Sequence, residues 1–160
     1  MRYILRRREI VRDDWAYRGE EASEGTPLII PLAELHAART ASGLRLGVLL
    51  APADAVEELA AELPRLALIA VEFPNAGDGR GYSQARLLRT RLRFAGELRA
   101  VGAGVRQDQV FLMARCGFDS MQLAPGEDPL AAQRALTRYS VAYQPGAAGI
   151  SLERQRFFSL

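Results

Sequence analysis

Apolar residues along the chain fall into short, nearly continuous runs, and longer amphipathic stretches separate them. The runs "LII", "LRLGVLLAP", "LALIAVEFP", "GELRAVG" and "FDSMQLAP" have strand length and are apolar on consecutive positions, as in strands buried on both faces. Between them lie "PLAELHAAR", "ADAVEELAAEL", "YSQARLLRTRL", "RQDQVFLMARCG" and "DPLAAQRALTRYSVAY", which carry helical spacing and supply the crossover length that parallel strands need. Asp54 stands near the start of the second of these as its expected cap. The alternation predicts an α/β fold: an open parallel sheet with helices on both faces, or a partial barrel of repeated strand–helix units. Five such strands are too few for a complete eight-unit barrel.

Ahead of this repeat, "YILRRREIVRDDWAYRG" holds two short apolar segments around "RRRE" and predicts an N-terminal hairpin or edge strand. The acidic "GEEASEGT" that follows reads as a loop. The chain is therefore divided into a hairpin and acidic loop over residues 1–26, a strand–helix core over 27–143 and a C-terminal tail over 144–160, within one domain. A small parallel sheet has edges that need covering, so a homodimer built on the hairpin with Tyr139 and Tyr143 is expected.

In an α/β sheet, ligands meet the carboxyl ends of the strands. That rule singles out the loops at 52–54, 73–82, 102–108 and 124–129. The second contains "FPNAGDGRGYSQARLLR", in which Gly77, Gly79 and Gly81 allow a sharp turn or close approach to a ligand. A helix starting near Tyr82 or Ser83 presents free N–H groups that favour an anion. Arg80 at its mouth can add a bidentate contact. The expected anion-binding set is Gly79, Arg80, Gly81, Tyr82, Ser83 and Arg86. Asp78, Arg89, Arg99, Arg106 and Asp108 are further cleft candidates. Arg86, Arg89 and Arg93 can share one helix face, which either meets solvent or offers Arg86 or Arg89 as a second contact for the anion. Arg99 interrupts an otherwise apolar strand, which suggests a cleft position or a pair with Glu72 or Glu97. The stretch matches neither a Walker motif nor a dinucleotide fingerprint.

Charge and composition narrow the chemistry. A net charge of +2 is too small to imply nucleic acid, although positive charge is concentrated between Arg80 and Arg106. One cysteine, Cys116, cannot form an internal disulfide or anchor an iron–sulfur cluster, and one histidine, His36, cannot build a multi-histidine metal centre. No intrinsic metal site, no transmembrane span and no signal peptide are expected, and the cytoplasm is the expected location.

"VRDDW", "FPNAGDGRGYSQARLLR", "FAGELRAVG" and "DQVFLMARCGFDSMQL", in that order, resemble a bacterial family known as domain of unknown function 934. The likeness runs from about Ile10 to Tyr143. It implies a place in assimilatory sulfite reduction, where members are described as oxidoreductases or as accessory proteins encoded beside sulfite reductase. The family's characteristic positions fall on Asp14, Trp15, residues 78–83, Arg86, Arg89, Glu97, Arg99, Asp108, Gln109, Arg115, Gly117 and Phe118. This chain reads "GAGVRQDQ" where relatives commonly carry a Gly-Asp-Val turn. The expectation is an accessory protein that binds an oxyanion (sulfate-, sulfite- or phosphate-like) or the sulfite reductase itself. The alternatives are an oxidoreductase acting on a small anionic sulfur compound with an external cofactor, and a scaffold.

Overall fold

The computed structural model describes residues 1–40 and 45–138. Tyr139, Tyr143 and the tail over 144–160 lie outside them. The strands are β1 (Tyr3–Arg6), β2 (Glu9–Arg12), β3 (Ala16–Tyr17), β4 (Leu28–Pro31), β5 (Leu46–Leu50), β6 (Leu66–Glu72), β7 (Glu97–Val101) and β8 (Ser120–Met121). Three helices accompany them: α1 (Arg80–Thr90), α2 (Val110–Arg115) and α3 (Pro129–Arg138). One eight-stranded sheet runs in the order β2-β1-β8-β7-β6-β5-β4-β3. From β3 to β8 every pairing is parallel, and the β1–β2 hairpin adds antiparallel to β8.

The sheet cannot be flat. Its outermost strands, β2 and β3, would then stand about 34 Å apart at a step of some 4.8 Å per strand. Yet only residues 13–15 connect them, a link that spans about 14 Å when fully extended. The sheet therefore curls into a half-barrel, and side chains bridge its two edges: Tyr17 Oη donates to Gln122 Oε1 at 3.0 Å, and Arg2 Nη2 to the Trp15 carbonyl at 2.7 Å.

All three helices lie on the outer face. Ala85 and Leu88 of α1, Val110 and Met113 of α2, and Ala132 and Leu136 of α3 share a core with Val48, Ile69, Val71, Leu98, Ala100 and Met121. The alternate strand positions face inward, where Trp15, Ile29, Leu68, Ala70 and Val101 form a second, smaller cluster. Gly47 is required there, because a Cβ would stand 3.1 Å from both the Trp15 ring and Ile29. Helices on one face only are what a barrel demands, so the partial-barrel expectation is realised and the two-faced one is not.

Two crossovers differ from expectation. "PLAELHAAR" and "ADAVEELAAEL" form 3-10 turns (Leu32–Glu34, Ala37–Thr40, Val56–Leu59 and Leu63–Arg65) in place of α-helices. His36 is exposed between the first two. Pro64 disfavours helical backbone at Leu63, and Asp54 folds back to accept the Ala51 N–H at 2.8 Å, leaving no side-chain cap for Val56–Leu59.

Candidate functional site

The carboxyl ends of β6 and β7 are laced together by backbone. The Phe73 N–H donates to the Val101 carbonyl at 2.8 Å, and the Gly104 N–H to the Phe73 carbonyl at 2.8 Å. Gly102 has φ of +106°, and a Cβ on Gly104 would fall 2.4 Å from the Asn75 carbonyl oxygen. The "GAG" glycines are therefore required by sterics.

The "GDGRG" glycines behave differently. Gly81 lies under the Phe73 ring, where a Cβ would approach to 2.6 Å, and that ring meets Tyr82 and Phe118 edge-on. Gly79 has φ of −86° and open space around its Cβ position. Gly77 has ordinary contacts, with its N–H held by Asn75 Oδ1 at 3.0 Å. One of the three glycines packs, and the other two leave the loop surface low and open.

Helix α1 begins at Arg80, two residues earlier than the sequence pattern suggests. Asp78 Oδ1 accepts the Arg80 main-chain N–H at 3.1 Å and its Nε at 3.0 Å, while Oδ2 accepts Nη2 at 2.6 Å. The hydrogen bonds from Arg80 hold the Asp78 carboxyl below its ordinary range. The Arg80 side chain is 60 % exposed, so main-chain and side-chain donors converge on one carboxylate at the surface.

The rest of the predicted set divides. Ser83 and Arg86 are exposed on α1. Tyr82 Oη donates to Gln109 Oε1 at 2.9 Å, and burial, followed by Cys116 and Asp108, pushes its phenol up to about 12. Burial also raises the Cys116 thiol, against the opposing charges of Arg86 and Arg115. Tyr82 and Cys116 thus keep their protons at neutral pH. Arg106 stands 3.6 Å from Asp108 and 3.8 Å from Glu127, on the loop after β7.

Arg89 turns inward, contrary to both readings of the Arg86, Arg89 and Arg93 stripe. Its guanidinium donates to the carbonyls of Phe94, Gly96 and Gly117 and to Asp119. Asp119 also accepts the Leu98 N–H at 2.9 Å. Arg89 therefore ties α1 to the turns preceding β7 and β8. A Cβ on Gly117 would strike its stem at 2.6 Å, which makes that glycine part of the same latch.

Arg99 lies inside the half-barrel, fully buried. Nη1 donates to Asp13 at 2.9 Å and Nη2 to Glu97 at 2.9 Å, and Ser120 Oγ donates to the same Glu97 oxygen at 2.6 Å. Arg2 Nε reaches the other oxygen of Asp13 at 2.7 Å, and its Nη1 reaches Glu20 at 2.8 Å. Burial raises the Tyr17 phenol, which the Arg99 charge partly offsets. Of the two partners the sequence offers, Glu72 or Glu97, Arg99 takes Glu97, and Asp13 is a further one. Arg2, Tyr17, Ser120 and Gln122 carried no signal beyond the polar break that Arg99 makes in its strand.

Among the described residues no group of three or more His, Cys, Asp or Glu is placed to hold a metal ion. None of their helices is long and apolar enough to cross a membrane. Curled parallel sheet, outer helices and a polar loop rim at the carboxyl ends define a half-barrel α/β protein. Residues 47–151 match the model of the family described as "Bacterial protein of unknown function (DUF934)", and the chain belongs to that family. No curated protein matches it.

Proposed function

We propose that the protein is an accessory factor of assimilatory sulfite reduction, and that it binds a sulfate-, sulfite- or phosphate-like oxyanion at the entrance of α1. The observation that carries the reading is the convergence of the Arg80 N–H and its exposed guanidinium on one carboxylate, at the carboxyl end of β6. The donors of Arg80 are arranged for a planar or tetrahedral oxyanion, and Asp78 is the internal occupant that an external one displaces. The sulfur context comes from the family resemblance.

Titration calorimetry with sulfate, sulfite and phosphate at matched ionic strength tests the site. Arg80→Ala is expected to weaken binding severalfold, about 3–5-fold for a solvent-screened contact. Asp78→Asn strengthens it by removing the competing charge. Equal affinities in all three proteins, with circular dichroism showing intact folds, would leave the motif as a structural turn. Affinity purification from the native cell at low ionic strength tests the context. Co-isolation of sulfite reductase supports the accessory role, whereas a tightly bound chromophore would favour an oxidoreductase with an external cofactor.

A further inference from the structure

Three non-glycine residues have positive φ among the described residues, and all three are arginine: Arg7 at 47°, Arg8 at 70° and Arg93 at 54°. Left-handed backbone costs a residue with a Cβ on the order of 1 kcal/mol, which glycine avoids. Arg7 and Arg8 are the central pair of the two-residue β1–β2 turn, flanked by the Arg6–Glu9 pair, where Asn-Gly is the favoured choice.

The two exposed members, Arg7 and Arg93, stand at one end of the half-barrel, opposite the α1 entrance. Arg93 lies just ahead of β7. Arg7 follows β1, which runs antiparallel to β8, and its N–H donates to the Asp119 carbonyl at 3.1 Å at the start of β8. The buried Arg89 guanidinium joins the two regions, because it holds the Asp119 carboxylate and the carbonyl of Phe94, the residue after Arg93. Asp119 is thus committed inward, and among the described residues neither Arg7 nor Arg93 meets a carboxylate within ion-pair distance. Glu9 is the exposed acid that shares the hairpin.

We infer that this amino-end face is a docking surface for a carboxylate-rich patch on a partner protein, with Arg7 and Arg93 as its contacts. Strained backbone carrying exposed, uncompensated guanidinium groups fits a binding role better than a folding role, since glycine would serve the fold better at both positions. A few forked donors suit a protein rim, where arginine is enriched among energetically dominant residues. Two arginines neutralise about two phosphates, so counterion release gives a nucleic-acid backbone little affinity here.

The test uses the full chain and the variants Arg7→Gly, Arg93→Gly and their combination. Anisotropy of a fluorescein-labelled deca-glutamate peptide in low salt measures docking, a ten-thymidine oligonucleotide serves as the phosphate control, and thermal melting measures stability. Each substitution is expected to weaken peptide binding about 3-fold and the pair about 10-fold. Each is also expected to raise the melting temperature by about 2–4 °C as strain is relieved. That opposite movement separates docking from a structural role. Absence of peptide binding by the parent protein, unchanged affinity in the double variant, lowered melting temperatures, or tighter binding of the oligonucleotide would each overturn the proposal.

Discussion

Arg99 and Arg80 each hold a carboxylate at hydrogen-bond distance, yet the two pairs belong to different physical regimes. Arg99 and Asp13 are fully buried, and each has a second charged partner, Glu97 for the arginine and Arg2 for the aspartate. Arg80 is exposed and Asp78 lies beside it at the surface, with one shorter contact, 2.6 Å, and more hydrogen bonds between the two residues. The shortest contact and the number of hydrogen bonds would rank this surface pair higher. Burial reverses that order, because a charge left alone in the interior has no water to fall back on, whereas an exposed one does.

The largest test of this contrast is Asp13→Ala. It removes one carboxylate from the buried Arg99 and from Arg2 together, and urea unfolding should show a loss of about 3–5 kcal/mol. Equality with Asp78→Ala would break the comparison. Arg99→Lys comes next. It keeps the charge but loses the fork that spans Asp13 and Glu97, so a loss of about 1–3 kcal/mol is expected in the same assay.

Acid titration sharpens the contrast at its rim. Burial alone would raise Glu20, but hydrogen bonds from Arg2 and the Tyr17 N–H outweigh it and hold the carboxyl below its usual range. Asp78 is held low chiefly by Arg80. A carboxyl whose folded value is depressed adds stability above its unfolded value and loses it as pH falls through the folded one. Titration of these carboxyl carbons by NMR should therefore give midpoints below the ordinary range for both, and Arg2→Ala should move Glu20 up without moving Asp78. The smallest effect belongs to Asp78→Asn, for which the urea midpoint should fall only slightly, as a surface pair contributes little. A loss as large as that of Asp13→Ala would mean that the α1 entrance is a structural element.

The half-barrel core was legible where period and burial agree. In "LALIAVEF" alternate residues feed two cores, Ile69 and Val71 outward, Leu68 and Ala70 inward, so the run reads as apolar throughout. The crossovers were less legible, because "ADAVEELAAEL" has helical spacing but its cap and its proline act against a helix. Curvature was one of two arrangements open in the sequence. Local pattern does not record that β2 and β3, joined by residues 13–15, are opposite edges of one sheet, or that Tyr17 meets Gln122 across the interior. At the candidate site, the sequence pointed to Arg80 as an anion contact and to Asp78 as a cleft candidate. It did not reveal that Asp78 engages both the main-chain and side-chain donors of Arg80. The stripe of Arg86, Arg89 and Arg93 failed for two reasons. Helix α1 ends at Thr90, short of Arg93. Arg89 also shares the buried side of α1 with Ala85 and Leu88, where carbonyls of Phe94, Gly96 and Gly117 and the Asp119 carboxylate accept its donors. No local pattern records those partners.

The pairing of Leu5 with Met121 has a consequence for the order of events in synthesis. The hairpin is made more than a hundred residues ahead of β8, the strand it must join. At roughly 5–20 residues per second, Ile4, Leu5 and Trp15 wait several seconds for that partner. The charged tip Arg6–Glu9 then acts as a guard on an orphan hairpin, because three adjacent cations discourage it from adding to a neighbouring nascent chain. Closure of the half-barrel through this pairing therefore waits for β8, and the hairpin spends that interval without its neighbour.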